Sequence, residues 1–87
     1  MRNNKNNWTT QEVREEVQAV LMLAEAPVTA GEVTRMLHAR GVNVKRHGVK
    51  KALDYLSTAG RAAYVYRHCI RNGYDIEGKH YRAEAAR

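Results

Sequence analysis

Residues 33–53 read VTRMLHARGVNVKRHGVKKAL, and the reading of this stretch decides the fold. Val33, Met36 and Leu37 recur at the three-four spacing that puts side chains on one face of a helix, and Val49, Ala52 and Leu53 do the same further on. Between the two sets lies Gly41, a residue suited to the left-handed conformation that closes a helix, followed by the short link Val42-Asn43-Val44. The stretch therefore predicts two helices joined by a tight turn. It also holds Arg35, Arg40, Lys45, Arg46, Lys50 and Lys51, and neither Asp nor Glu. The whole chain has 15 Lys and Arg against 9 Asp and Glu, a net charge of +6, so these six cations equal the entire excess. A field of one sign gathered in one place bears on the choice of partner rather than on the fold. The common partner with densely spaced charge of the opposite sign is a nucleic-acid backbone.

Working towards the N-terminus, Thr29-Ala30-Gly31-Glu32 has the form of a capping box, with Val28 and Val33 at hydrophobic-staple spacing. It starts a helix expected to run from about Ala30 to Arg40. An earlier capping box, Thr9-Thr10-Gln11-Glu12, is flanked in the same way by Trp8 and Val13. Its helix is expected to run to about Glu25, burying Val13, Val17, Val20, Leu21 and Ala24, until Pro27 ends it. Arg14, Glu15, Gln18 and Glu25 lie elsewhere on that wheel. The polar residues 1–8 read as a disordered basic arm.

Towards the C-terminus, the third helix is expected to reach about Thr58, with Gly60 as its stop and Val49, Ala52, Leu53 and Leu56 as its buried stripe. Its start is open: Val44 could staple onto Val49 with the helix beginning near Lys45 or Arg46, or Asn43 could be the cap. Gly48 costs this helix about 1 kcal/mol relative to Ala. It is either a glycine tolerated in a first turn or a point of close approach to a partner. His47, Lys50, Lys51 and Asp54 share a separate, polar face. After Gly60 the residues turn to Tyr, Val and Ile, and Asn72-Gly73 is a hairpin-turn dipeptide. A fold about it sets Tyr64 opposite Tyr81 and Val65 opposite His80; a wider loop between Arg67 and Lys79, using Gly78, is the alternative. Val28-Thr29 could add a short strand. The folded domain is thus expected over residues 9–83, with a frayed tail at 84–87.

A chain of 87 residues makes one domain. At this length roughly 60–65% of the unfolded surface becomes buried, which leaves room for a shallow working surface rather than a deep pocket of convergent polar groups. No phosphate-cradling glycine loop and no paired-carboxylate constellation is present, so an enzyme is not expected. Cys69 is the single cysteine, which rules out an intrachain disulfide and suits a reducing cytoplasm. The longest apolar run, Ala19 to Ala24, is far below the roughly 20 residues of a membrane helix. MRNNKNNW lacks the apolar centre of a secretory signal. His68, Cys69 and His80 could meet across the hairpin. However, adjacent strand residues point to opposite faces, and the spacing matches no structural zinc pattern, so no metal and no other cofactor is expected.

The order helix, helix, helix, hairpin resembles the winged helix-turn-helix family. The resemblance is carried by Pro27-Val28-Thr29-Ala30-Gly31-Glu32-Val33, by Met36-Leu37 through Gly41-Val42, and by Val49-Lys50-Lys51-Ala52-Leu53-Asp54-Tyr55-Leu56 with Ala59-Gly60. It is closest in type to small bacterial and phage regulators. It implies an α+β fold with a C-terminal β-hairpin wing, and double-stranded DNA as the partner. The third helix, about residues 45–58, would enter the major groove with Lys45, Arg46, His47, Lys50 and Lys51 leading. Arg61, Arg67, Arg71 and Lys79 would be wing and phosphate contacts. A small transcriptional regulator, cytoplasmic and nucleoid-associated when bound, is the function it implies. A protein-docking winged-helix module is the alternative, as is a phage or plasmid accessory protein of excision or replication. One helix and one wing contact few bases, so a homodimer or tandem sites would extend the site.

Overall fold

The computed structural model describes residues 7–71 and 73–84, leaving aside the side chains at 69, 71 and 74–76. The elements follow in the order α1 (Thr10–Leu23), α2 (Ala30–Ala39), α3 (Arg46–Thr58), β1 (Ala62–Arg71) and β2 (Tyr74–Ala83). This is the α+β topology of a winged helix-turn-helix. The readings of residues 1–6 as part of an arm and of 85–87 as part of a tail lie outside the described residues.

Both capping boxes form. Thr9 Oγ1 accepts the Glu12 N–H at 3.1 Å while the Glu12 carboxylate accepts the Thr9 N–H at 3.0 Å. At α2 the Thr29 hydroxyl accepts from the Glu32 N–H at 3.1 Å, and the Thr29 N–H donates to the Glu32 carboxylate at 2.8 Å. Each cap satisfies amides that the helix itself leaves unpaired. Trp8, Val13 and Val28 pack against the core, as the staple spacing requires.

Helix α1 ends at Leu23, two residues before the expected Glu25, with Ala24 already extended at φ −72°, ψ 136°. The cause lies downstream. Val28 pairs with Tyr81 through two backbone hydrogen bonds of 2.9 and 2.7 Å, so the chain must be extended by then, and Pro27 bars the residue before it from helix. Helix α2 closes with Gly41 at φ 85°, the Gly41 N–H donating to His38 O and the Val42 N–H to Leu37 O. Gly60, at φ 78°, closes α3 in the same manner, with the Arg61 N–H donating to Leu56 O.

The three helices turn Val17, Val20 and Leu21, then Val33 and Leu37, then Val49, Ala52, Leu53 and Leu56 into one core that Val42, Ala62 and Tyr81 complete. Met36, read as inward-facing, packs at its margin. Each fully buried aliphatic side chain contributes about 1.5–3 kcal/mol relative to its exposed state. Burial pushes the Tyr81 phenol above its ordinary range, and the Asp54 carboxylate adds to the shift.

The hairpin turns between Arg71 and Tyr74, the last pair of its ladder. Tyr64 stands opposite Tyr81 and Val65 opposite His80, while Gly78 lies inside β2 opposite Arg67, so the wider loop does not form. Gly73, at φ 80°, supplies the positive φ that a two-residue hairpin turn demands. Among the described residues the hairpin is anchored at its base. Ala62 and Tyr81 are buried, whereas Tyr66 is 59% and Ile70 70% exposed, so the distal part projects as a wing.

Candidate nucleic-acid interface

The inner face of α3 is fully used by the core, which fixes its outer face. Lys45, Arg46, His47, Lys50 and Lys51 are all exposed. Lys45 is the N-cap residue (φ −81°, ψ 154°), and its side chain makes no capping hydrogen bond. Asn43 therefore is not the cap. The start of α3 is held from outside the helix. Val44 packs against the core just before the cap, with Val49 fully buried one turn inside, the staple geometry. The His38 ring Nε2 lies 2.7 Å from Val44 O, which accepts its N–H. The first turn thus presents Lys45, Arg46 and His47 at the helix end whose dipole disfavours cations. This arrangement does nothing for the stability of the helix.

Three cations converge beside this turn. Arg46 and Lys50, one turn apart on α3, share a groove of about 250 Å³ with Lys79 of β2, and Thr29, Ala30, Gly78 and Tyr81 complete its walls. Lys79 is held in place by the wing, its Nζ 4.3 Å from the Tyr64 ring centroid. Tyr66 meets Tyr64 edge-on at 5.8 Å. The face of the wing that carries the tyrosines therefore also carries the cation.

The other sequence-selected cations are distributed differently. Arg61, exposed at the start of the hairpin, borders a depression with Gln11, Arg14, Glu15, Gln18 and Tyr55 on the α1 side, apart from the groove. Arg67 pairs with Gly78 and so points to the wing face opposite Lys79. Arg71 is the last residue of β1, opposite Tyr74 beside the turn; its side chain lies outside the described residues. Lys51 faces the other flank of α3, in a cleft with Thr10, Val13, Arg14, Gly48 and Ala52. Of the six cations in residues 33–53, Arg40 has an acidic partner, Glu16 at 3.5 Å.

One contributor escaped the linear reading. Arg14 lies on α1, where the helical wheel marks it only as off the buried face. Its guanidinium carbon sits 3.5 Å from the Tyr55 ring centroid of α3, which adds a cation to Lys45, Arg46, Lys50 and Lys51 of that helix and its cap. No local pattern announces this, because the two residues meet only through the packing of α1 on α3.

His68 lies 3.8 Å from Glu77 across the wing, and His80 Nδ1 lies 3.0 Å from Gly78 O. Among the described residues no group of three or more His, Cys, Asp or Glu could hold a metal ion, and no helix is long and apolar enough to cross a membrane. Comparison of the chain with protein-family models, curated proteins and solved structures gives no match. The functional reading therefore rests on the fold and on this surface.

Proposed function

We propose that the protein binds double-stranded DNA in a sequence-specific manner and acts as a small regulator of transcription. The observation that carries this is the convergence of Arg46, Lys50 and Lys79, from the outer face of α3 and from the wing, on one groove without an acidic residue among its walls. In this reading the first two turns of α3 lie in the major groove. Arg46, His47 and Lys50 address base edges, where Arg and Lys match the paired acceptors of guanine, while Lys51, on the other flank of α3, lies towards the backbone. Lys45 and Lys79 meet phosphates, and so do Arg67 and Arg71 on the wing. Arg61 serves as a phosphate contact on the α1 side. Architectural work in excision or replication uses the same surface and differs in how strongly the DNA is bent.

The test is selection of bound sequences from a pool of random duplexes. Enrichment of one motif supports the reading, and a palindromic motif adds that two copies bind together. A pool that stays random after repeated rounds contradicts it.

A second reading, a protein-docking module, is favoured by one observation. Met22 and Leu23, at the far end of α1, are 69% and 67% exposed, beside a hollow in which Leu21, Ala24, Pro27 and Ala83 alternate with Gln18, Glu25, Arg82 and Glu84. Under that reading Met22→Lys with Leu23→Lys abolishes association with a protein partner, and the basic face of α3 is dispensable for it.

A further inference from the structure

We propose that the cleft between α1 and the first turn of α3, at Gly48, is a second contact site for a DNA backbone phosphate, held by Arg14 and Lys51. The inference rests on the DNA-binding reading and extends it to the flank of α3 away from the wing.

It starts from a glycine with no internal reason to be one. Gly48 sits in the first turn of α3 with an ordinary negative φ; the positive-φ glycines are Gly41, Gly60 and Gly73. A Cβ added at Gly48 would meet no atom within 4 Å. Neither backbone conformation nor packing therefore excludes a larger side chain, and glycine here only weakens the helix. A residue that the fold does not need, at a stability cost, is accounted for when something outside the chain approaches the helix backbone there.

The surroundings state what that something is. Gly48 opens onto a cleft of about 300 Å³ whose polar lining is Thr10, Arg14 and Lys51. Among the described residues neither cation has an acidic partner. The Arg14 guanidinium is instead stacked on Tyr55, with its Nε buried and without a hydrogen-bond partner. Stacking fixes the plane of the guanidinium, and with Nε buried its terminal Nη groups are what remains for an anion. Two unpaired cations lining one cleft with Gly48 suit a compact anion that can come close to helix backbone, and a diester phosphate has that size and charge. On the opposite flank of α3, Arg46, Lys50 and Lys79 form the other cationic groove. With Lys79 beside one flank of α3 and Arg14 and Lys51 beside the other, the helix can meet the phosphates of both strands that wall a major groove.

The experiment is Gly48→Ala in the full chain, measured for thermal stability, for affinity to a duplex that the wild type binds, and for self-association without DNA. The expected result is a split: the melting temperature rises by roughly 2–8 °C, while affinity falls about tenfold or more because the methyl group fills the approach. Arg14→Lys, which keeps the charge and loses the fork, should lower affinity several-fold. Lys51→Ala should lower the salt slope by about one. A wild type that binds DNA and a Gly48→Ala variant that binds it equally well overturn the cleft and leave the DNA-binding reading intact. A wild type that binds no DNA overturns both. A variant whose self-association changes while its DNA affinity does not makes the occupant a second copy of the chain and overturns the phosphate assignment.

Discussion

Helices α1 and α2 begin alike, and α3 begins differently. The first two start with a Thr whose hydroxyl and a Glu whose carboxylate satisfy each other's backbone amides within four residues. The third starts with Lys45, whose side chain caps nothing, and continues with Arg46 and His47. A capping box is worth about 1 kcal/mol, and an acidic first turn adds a few tenths through the helix dipole. Helix α3 forgoes both and accepts an unfavourable arrangement of charge. It is kept in place by its buried stripe, by the Val44–Val49 staple and by the hydrogen bond from His38 to Val44 O. The difference separates two uses of a helix start. In α1 and α2 it serves the fold; in α3 it faces outward, and its residues suit an anionic partner at the expense of the helix.

Four substitutions probe that division, in falling order of expected effect. Leu53→Ala, on the buried stripe that holds α3, should cost roughly 2–5 kcal/mol in a denaturant titration. A cost below about 1 kcal/mol would mean that the stripe does not anchor the helix. Lys50→Ala should leave stability within about 0.5 kcal/mol of wild type. It should also weaken specific DNA binding by about 1–3 kcal/mol and relax sequence preference, as read by equilibrium binding to matched and mismatched duplexes. Thr29→Ala removes the capping hydroxyl of α2 and should cost about 0.5–2 kcal/mol. Lys45→Asp installs at α3 the acidic cap that the other helices have. It should raise stability by about 0.5–1 kcal/mol while DNA affinity drops. If Lys45→Asp destabilised the fold, the contrast between the helix starts would lose its meaning.

The same contrast shows what could be read in the chain. The capping boxes at Thr9 and Thr29, the closing glycines Gly41 and Gly60 and the hairpin dipeptide at 72–73 are local signals. The elements that they bound appear within a residue or two, as does the pairing of Tyr64 with Tyr81. The end of α1 came earlier than its apolar pattern suggested, because the Val28–Tyr81 bridge is a long-range demand that no local window contains. The start of α3 stayed open in the sequence for the same reason: its determinants are the core and a histidine from the preceding helix. The site was legible as a charge excess in residues 33–53, but not in its arrangement. The packing of the helices and wing decides that Arg46, Lys50 and Lys79 share a groove, that Arg61 lies on the α1 side, that Arg40 is paired with Glu16, and that Arg14 reaches α3.

The most direct test of DNA binding by this surface is the affinity of the protein for a selected duplex as a function of salt. With roughly 4–8 phosphates neutralised by α3, the wing and the α1 flank, the logarithm of the binding constant should fall linearly with the logarithm of salt, with a slope of about −4 to −7. An affinity that does not change with salt, or no measurable binding at low salt, would contradict the account.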